Sequence, residues 1–431
     1  SYYYTLLISL SPLVGFIFYK KKETKVNIYT KIITVIAGFF LLPIFISLPY
    51  FFSIYNISFF DAYFEAVSGF TSTGFTIFEN IKHLDESLII WRSSSQWIGG
   101  LYFLFSIILL IDIFDENLKK TLTNFLTINS TEFYRQSIKI FIFYSFLTFL
   151  IFIALNIFEF RSFVSLNLAM TLISSGGFLP INNLDAILIT QKQLLSFSTL
   201  MLVSFFSLFF VYNLMVYKKK GIKFIQEDLY LVFYLILVVF TFFLFTDKDI
   251  NFGIIFLGIS SSVSNMGISL DNTPQHLSFI FIILIIIGGS FFSTSSGLRF
   301  LKLVALFKFS INQIISNAKP KNIFINKLSF SEKIMDTSDF YKYFLTILVF
   351  IISLIILTSV LSIYGLNLEE SFKISVLTLM NTTNSSLTGL SVFNFGELNY
   401  FAKQSIILFM IIGRVELLSI LIIFKKFFFK N

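Results

Sequence analysis

Four times along the chain an apolar segment gives way to a short amphipathic stretch that ends in small or hydroxyl-bearing residues, a glycine and a hydrophobic residue. The first stretch runs Phe60–Asp61–Ala62–Tyr63–Phe64–Glu65–Ala66–Val67–Ser68–Gly69–Phe70–Thr71–Ser72–Thr73–Gly74–Phe75. The others end in Ile173–Ser174–Ser175–Gly176–Gly177–Phe178, Val263–Ser264–Asn265–Met266–Gly267–Ile268 and Ser385–Ser386–Leu387–Thr388–Gly389–Leu390. Recurrence in fixed order at intervals of roughly 90 to 120 residues is the mark of an internal repeat. Each unit reads as span, short helix, glycine turn, span.

The chain is 56% hydrophobic and only 13% charged. An ordinary soluble domain carries about 25% charged residues, so this is an integral membrane protein by composition. In hydrocarbon an unpaired backbone N–H or C=O costs several kcal/mol, and irregular backbone survives there only where it is buried in protein or lines water. Glycine lets the backbone turn with its carbonyls pointing inward, and rings of such carbonyls replace the hydration shell of a cation. Four units in one chain are therefore expected to make one ring.

Other classes fall away on chemistry. With no cysteine there is no disulfide, thiolate ligand or cysteine nucleophile, and the two histidines, His83 and His276, sit in a chain with no clustered His/Asp/Glu triad. No nucleophile elbow, phosphate loop or metal-ligand pair is present, so neither an enzyme nor a covalent cofactor is expected. The net charge of +8 comes from lysines between apolar spans, which membrane topology explains better than nucleic-acid binding.

In chain order, residues 1–19 read as a retained membrane helix and 1–27 as an extra N-terminal element with a basic loop. The expected pore units are 28–115, 116–222, 223–333 and 334–431. Their spans fall at about 32–49 (ended by Pro49) and 88–111, 138–158 and 194–215, 228–246 and 277–307, 340–364 and 403–424. Each is expected to cross about 30 Å of hydrocarbon, while the intervening helices, about 12–15 residues, are re-entrant. Lysines crowd 20–31, 119–139, 218–223, 299–333 and the C-terminus, which puts those loops in the cytoplasm and all four glycine turns outside.

Three further motifs stand out. Trp91–Arg92–Ser93–Ser94–Ser95–Gln96–Trp97–Ile98–Gly99–Gly100 sets a costly arginine beside headgroup-level indoles, followed by a close-packing glycine pair. Ile287–Gly288–Gly289–Ser290–Phe291–Phe292–Ser293–Thr294–Ser295–Ser296–Gly297 interrupts an apolar span at mid-membrane, which favours an unwound gating loop beneath the ring; it reads as the one interior break. Arg299 and Lys302 behind it are expected to reach the cytoplasmic surface. Gly413–Arg414–Val415–Glu416 places a cation and an anion in an apolar helix but on different faces. Arg414 is expected to face the cavity under the ring, while no buried Asp or Glu relay stands out.

The first turn with its Trp91–Gly100 segment, the loop Gly288–Gly289…Ser293–Thr294…Gly297 and Gly413–Arg414–Val415–Glu416 resemble, in order and over nearly the whole chain, the Trk/Ktr/HKT superfamily of potassium transporters. The closest likeness is to the bacterial TrkH/TrkG membrane subunit. The resemblance implies an all-α membrane protein of four channel-like repeats, each helix, re-entrant pore helix with filter, and helix, around one pore. It implies potassium uptake across the bacterial cytoplasmic (inner) membrane by a multi-pass homodimer docked to a cytoplasmic nucleotide-binding, TrkA-like regulatory subunit. The implied filter is Thr71–Gly74, Ser175–Gly177, Asn265–Gly267 and Leu387–Gly389, with K+ held mainly by backbone carbonyls of Ser72, Thr73, Gly176, Asn265, Met266, Leu387 and Thr388. The implied gating loop is Gly288, Gly289, Ser290, Ser293, Thr294, Ser295, Ser296 and Gly297, with Arg414 as the pore arginine. Departures from the family pattern are Leu101–Tyr102 after the glycine pair, Ser295–Ser296 in the loop, expected to stiffen it, and Arg299 in place of lysine. Glycine at all four filter positions argues for K+. The alternatives are a Na+ or mixed-cation transporter of the same fold and a secondary transporter of a small organic solute, which would show paired inverted repeats.

Overall fold

The structure, a computed structural model, describes residues 27–110, 133–211, 226–245, 251–318, 337–390 and 393–415. The expected helix at 1–19, most of the lysine-rich loops and Glu416 lie outside the described residues. Among the described residues every regular element is helical.

Among the described residues four helices are long and apolar enough to cross a bilayer: α1 (Ile28–Ser53), α4 (Phe133–Ile157), α7 (Gln226–Phe245) and α11 (Thr337–Ile363). Large apolar side chains such as Phe149, Phe233, Phe243 and Ile355 stand exposed on them, the arrangement expected of a face in contact with lipid. α1 runs through Pro43 and Pro49 to Ser53, so Pro49 does not end the span as expected.

Each of these helices leads into a short one: α2 (Phe59–Phe70), α5 (Ser162–Ser174), α8 (Phe252–Val263) and α12 (Leu368–Leu379). At 12 or 13 residues they reach about 18–20 Å, too short to span. Side chains start some of them sharply: Ser58 accepts from the Asp61 N–H at 3.0 Å, and Asn251 from the Gly253 N–H at 2.9 Å.

The returning segments differ. α3 (Glu86–Leu109) is continuous, and α13 (Tyr400–Arg414) is helical as far as Arg414. In the third unit α9 (Ser278–Ile287) and α10 (Phe300–Ala318) flank an irregular loop. In the second unit α6 (Gln191–Met201) stops at a run of turns over 202–206 and helix resumes at 208–211. The third-unit interruption is therefore not the one interior break, and 194–215 is not a continuous span.

Contacts between elements close a ring. Each long helix packs on the short helix that follows it, and each return segment packs on the short helix of the next unit: α3 on α5, α6 on α8, α9 on α12 and α13 on α2. The last contact carries an ion pair, Lys403 Nζ to Asp61 Oδ1 at 2.6 Å. Small residues set the spacing. A side chain at Gly99 would collide with the Phe70 carbonyl at the end of α2, and one at Gly413 with the Leu379 carbonyl at the end of α12.

Candidate functional site

All four short helices end the same way. Ser72, Ser175, Asn265 and Asn381 adopt left-handed backbone, with φ of 59, 58, 58 and 48°. The next residue in each turn donates its N–H five residues back: Thr73 to Ser68 O (2.9 Å), Gly176 to Thr171 O (2.9 Å), Met266 to Ser261 O (3.0 Å) and Thr382 to Leu377 O (2.9 Å). This is the Schellman C-cap, which satisfies carbonyls of the last helical turn. Its repetition fixes which residues are equivalent. The position after the cap is Gly74, Gly177, Gly267 and, in the fourth unit, Thr383.

The turns meet around one point. Asn381 Nδ2 donates to Thr73 Oγ1 at 3.0 Å, Asn265 Nδ2 to Thr382 Oγ1 at 3.4 Å, and Ser175 Oγ to the Ser264 carbonyl. Thr383 donates from its N–H to Met266 O at 3.3 Å and from its hydroxyl to Gly74 O at 2.8 Å. A Cβ on Gly74 would come within 2.8 Å of Gly177 Cα and 3.0 Å of Thr383 Cβ. Thr71 is buried on the helix side of the first turn, its hydroxyl bonded to Val67 O and Thr73 Oγ1.

The expectation for the fourth turn is corrected. Leu387 and Thr388 lie in a separate short turn, Ser386–Thr388, capped by Gly389 at φ 72°. That turn is stitched to the third unit by Leu387 N to Ser269 Oγ (3.1 Å) and Ser386 Oγ to Leu270 O (2.7 Å). A side chain at Gly389 would meet Lys373 Nζ and not another turn glycine. The residues that join the ring are Asn381, Thr382 and Thr383. Counting two residues on from the left-handed Asn, as from Asn265 to Gly267, finds Thr383 in the sequence, whereas counting by glycine leads to Gly389.

On one side of the ring lies a cavity of about 630 Å³, lined by Gly74, Gly177 and Thr383 and rimmed by Glu79, Asp271 and Glu397. Arg92, in the wall of this cavity, pairs at 2.9 Å with Glu65 behind it, and both side chains are buried. Glu65 also accepts from Thr76 Oγ1 (3.1 Å) and the Ile77 N–H (3.0 Å), pinning the chain that leaves the first turn. Arg92 lies 4.1 Å from the centre of the Phe178 ring, and the Phe178 N–H donates to Gln96 at 3.3 Å, so α3 holds the first and second turns together. The indoles anchor α3 to its neighbours: Trp91 donates to Ile46 O at 3.0 Å and Trp97 to Thr148 Oγ1 at 2.9 Å.

On the other side the loop from Gly288 to Gly297 fills the space beneath the ring. It is buried, and hydrogen bonds tie it to the second-unit break: Ser290 N to Phe205 O (3.0 Å) and Ser295 N to Ser204 O (3.1 Å), with Leu208 N returning one to Phe292 O (3.0 Å). Thr294 Oγ1 reaches Ile173 O at 2.7 Å. Arg299 does not reach a surface as expected. It is buried, and its Nη1 donates to the carbonyls of Ser290 (3.0 Å) and Ser295 (2.9 Å) and to Ser293 Oγ (3.3 Å), because free loop carbonyls in apolar surroundings need a donor. Lys302 is buried as well. Arg414 joins loop to ring: Nη1 donates to Ser296 Oγ at 2.7 Å and Nη2 to Ser72 Oγ at 3.4 Å, with the guanidinium 4.3 Å from the centre of Phe103. A small cavity of about 30 Å³ between them is lined by Phe103, Ser296, Arg299, Met380 and Arg414.

Buried carboxylates also stand here, on residues that the sequence does not single out. Glu227 accepts from the Phe291 N–H (3.1 Å), and Asp228 from Ser207 N (2.9 Å) and Ser207 Oγ (2.8 Å). Together they hold the loop and the second-unit break from the first turn of α7. Among the described residues no group of three or more metal-ligating side chains occurs.

A family model described as "TrkH: Cation transport protein" matches residues 255–430. The chain is similar to the Trk system potassium uptake protein TrkG of Escherichia coli K12, with 24% identity over 87% of this chain and 80% of that one. It is also 24% identical to an uncharacterized cation transporter of Methanocaldococcus jannaschii, covering 90% of this chain and 80% of that one. The Trk system potassium uptake protein TrkH of Salmonella typhimurium is 24% identical over 89% of this chain and 83% of its own length. Among solved structures, the potassium transporter TrkH from Vibrio parahaemolyticus superposes with a TM-score of 0.81 at 19% identity, covering 95% of this chain and 88% of that one. The family model covers the third and fourth units, TrkG and TrkH relatives run along nearly the whole chain, and the helical fold is that of the TrkH structure, so the chain is similar throughout to the TrkH/TrkG-like cation transporters.

Proposed function

We propose that the chain is the pore-forming membrane subunit of a potassium uptake system, with ions drawn inward by membrane potential at about 2.3 kcal/mol per 100 mV. The observation that carries this is the meeting of four Schellman-capped turns, one from each unit, under a wide acidic-rimmed cavity. Backbone carbonyls of Thr71–Gly74, Ser175–Gly177, Asn265–Gly267 and Asn381–Thr383 form the filter, in units bounded near 28–115, 116–222, 223–333 and 334–431. The loop Gly288–Gly297 is the gate and Arg414 its latch. What supports the gate is the contrast between the large cavity on one side and the 30 Å³ space on the other.

The protein works in the cytoplasmic membrane of a prokaryote as a homodimer, with a nucleotide-binding regulatory subunit on its basic cytoplasmic side. The test is radiolabelled Rb+ uptake into liposomes holding the purified protein, with K+ and Na+ as competitors. Uptake suppressed by K+ more strongly than by Na+ is the expected result. No flux above protein-free liposomes, with or without the regulatory subunit, overturns the proposal. A mixed-cation function is the second reading, favoured by Thr383 where three other turns carry glycine.

A further inference from the structure

Three turns place glycine after the Schellman cap and the fourth places Thr383. Gly74 and Gly267 hold left-handed backbone there, at φ of 85 and 73°, and Gly177 and Thr383 do not. A side chain is thus free of backbone strain only at the second and fourth turns. At the second it would collide with Thr383. The fourth turn is the place in the ring where a side chain fits, and this chain has one there.

That side chain engages the ring itself. The Thr383 hydroxyl donates to Gly74 O at 2.8 Å, its N–H donates to Met266 O at 3.3 Å, and its Cβ stands against both Gly74 and Gly177. Two carbonyls at the level where an ion would be stripped of water are already satisfied by Thr383. We infer that Thr383 is the flux-limiting and selectivity-setting residue of this pore, narrowing the mouth of the filter so that Na+ passes alongside K+. The inference rests on the transport reading above. An entering ion must displace the Thr383–Gly74 hydrogen bond before Gly74 O can coordinate it. With the Thr383 side chain packed against Gly74 and Gly177, less room is left for a dehydrated ion, which on a size-fit account favours the smaller one.

The experiment is Rb+ and Na+ flux into liposomes for the parent, Thr383→Gly, Thr383→Ala and Gly74→Ser, with yield and melting temperature measured for each. T383G is expected to raise Rb+ flux about fivefold, the weight of one net hydrogen bond, and to raise the preference for Rb+ over Na+. T383A removes the hydroxyl without adding backbone freedom and is expected to move both readouts the same way. If G74S changes the ion ratio while T383G and T383A change neither rate nor ratio, this inference fails and the transport reading stands. If no form passes either ion, both fail.

Discussion

Arg92 and Arg414 are each almost fully buried, each stacked on an aromatic ring, at 4.1 and 4.3 Å, and they stand on opposite sides of the same ring of turns. They differ in what answers their charge. Arg92 has the Glu65 carboxylate at 2.9 Å, shared with two donors from the chain beyond the first turn. Arg414 has two serine hydroxyls, and among the described residues no carboxylate pairs with it. A neutralised cation is scaffolding, because its field is cancelled a few ångströms away. An unneutralised one projects: at about 8 Å and an effective dielectric near 20, a passing cation feels roughly 2 kcal/mol of repulsion. The contrast fits Arg92 holding the turns, and it is the ground on which Arg414 is proposed to regulate what crosses beneath them.

The largest effect expected from breaking this contrast is Glu65→Gln. It leaves Arg92 buried without its counter-charge, which costs about 3–5 kcal/mol, so folded protein in detergent should fall sharply and melt at much lower temperature. A melt close to the parent's would mean that the pair is not what holds the first turn. Next is Arg414→Gln, expected to raise Rb+ flux into liposomes about thirtyfold by removing the repulsion of roughly 2 kcal/mol, with little loss of folded protein. Flux equal to or below the parent's would remove Arg414 from the gate.

The arginines also show what the sequence reveals and what it hides. The recurrence of span, short helix and turn is local, so the fold was legible in it, and Arg414 was legible because a charge in an apolar helix is conspicuous. The partner of Arg92 was not, since Glu65 lies 27 residues away on another helix and meets it only when α2 packs on α3. The break at 202–206 carries no glycine or proline; Leu202, Val203, Phe205 and Phe206 read as helix interior. It is held open from outside, by loop N–H groups on its carbonyls and by Asp228 on Ser207. Glu227 and Asp228 read as the polar start of a span and are buried only because the loop folds over them. Glycine was the visible signal for the turns, yet what defines them is the left-handed residue two places earlier. That is why the glycine pattern points to Gly389 where the backbone geometry points to Thr383.

Ser296→Ala sharpens the contrast at an intermediate scale. It removes the hydroxyl that accepts from Arg414 at 2.7 Å, a bond to a charged group of about 1.5–3 kcal/mol, while leaving the charge itself. If Arg414 acts as latch as well as field, S296A should raise flux by several-fold and combine less than additively with Arg414→Gln. Full additivity would separate the two residues.

The smallest effect belongs to the rings beneath the two guanidiniums. Phe103 lies 4.3 Å from Arg414 and 5.3 Å from Arg299, so one ring steadies two cations beside the loop. Phe103→Leu keeps the apolar bulk and removes the ring quadrupole, a loss of about 0.5–2 kcal/mol, which should loosen the latch and raise flux about twofold to threefold. On the other side Phe78 lies 5.7 Å from Arg92, whose charge Glu65 already answers. Phe78→Leu should therefore lower the melting temperature slightly and leave flux where it was. Equal changes in flux from the two substitutions would show that a carboxylate partner does not separate a scaffolding arginine from a gating one in this protein.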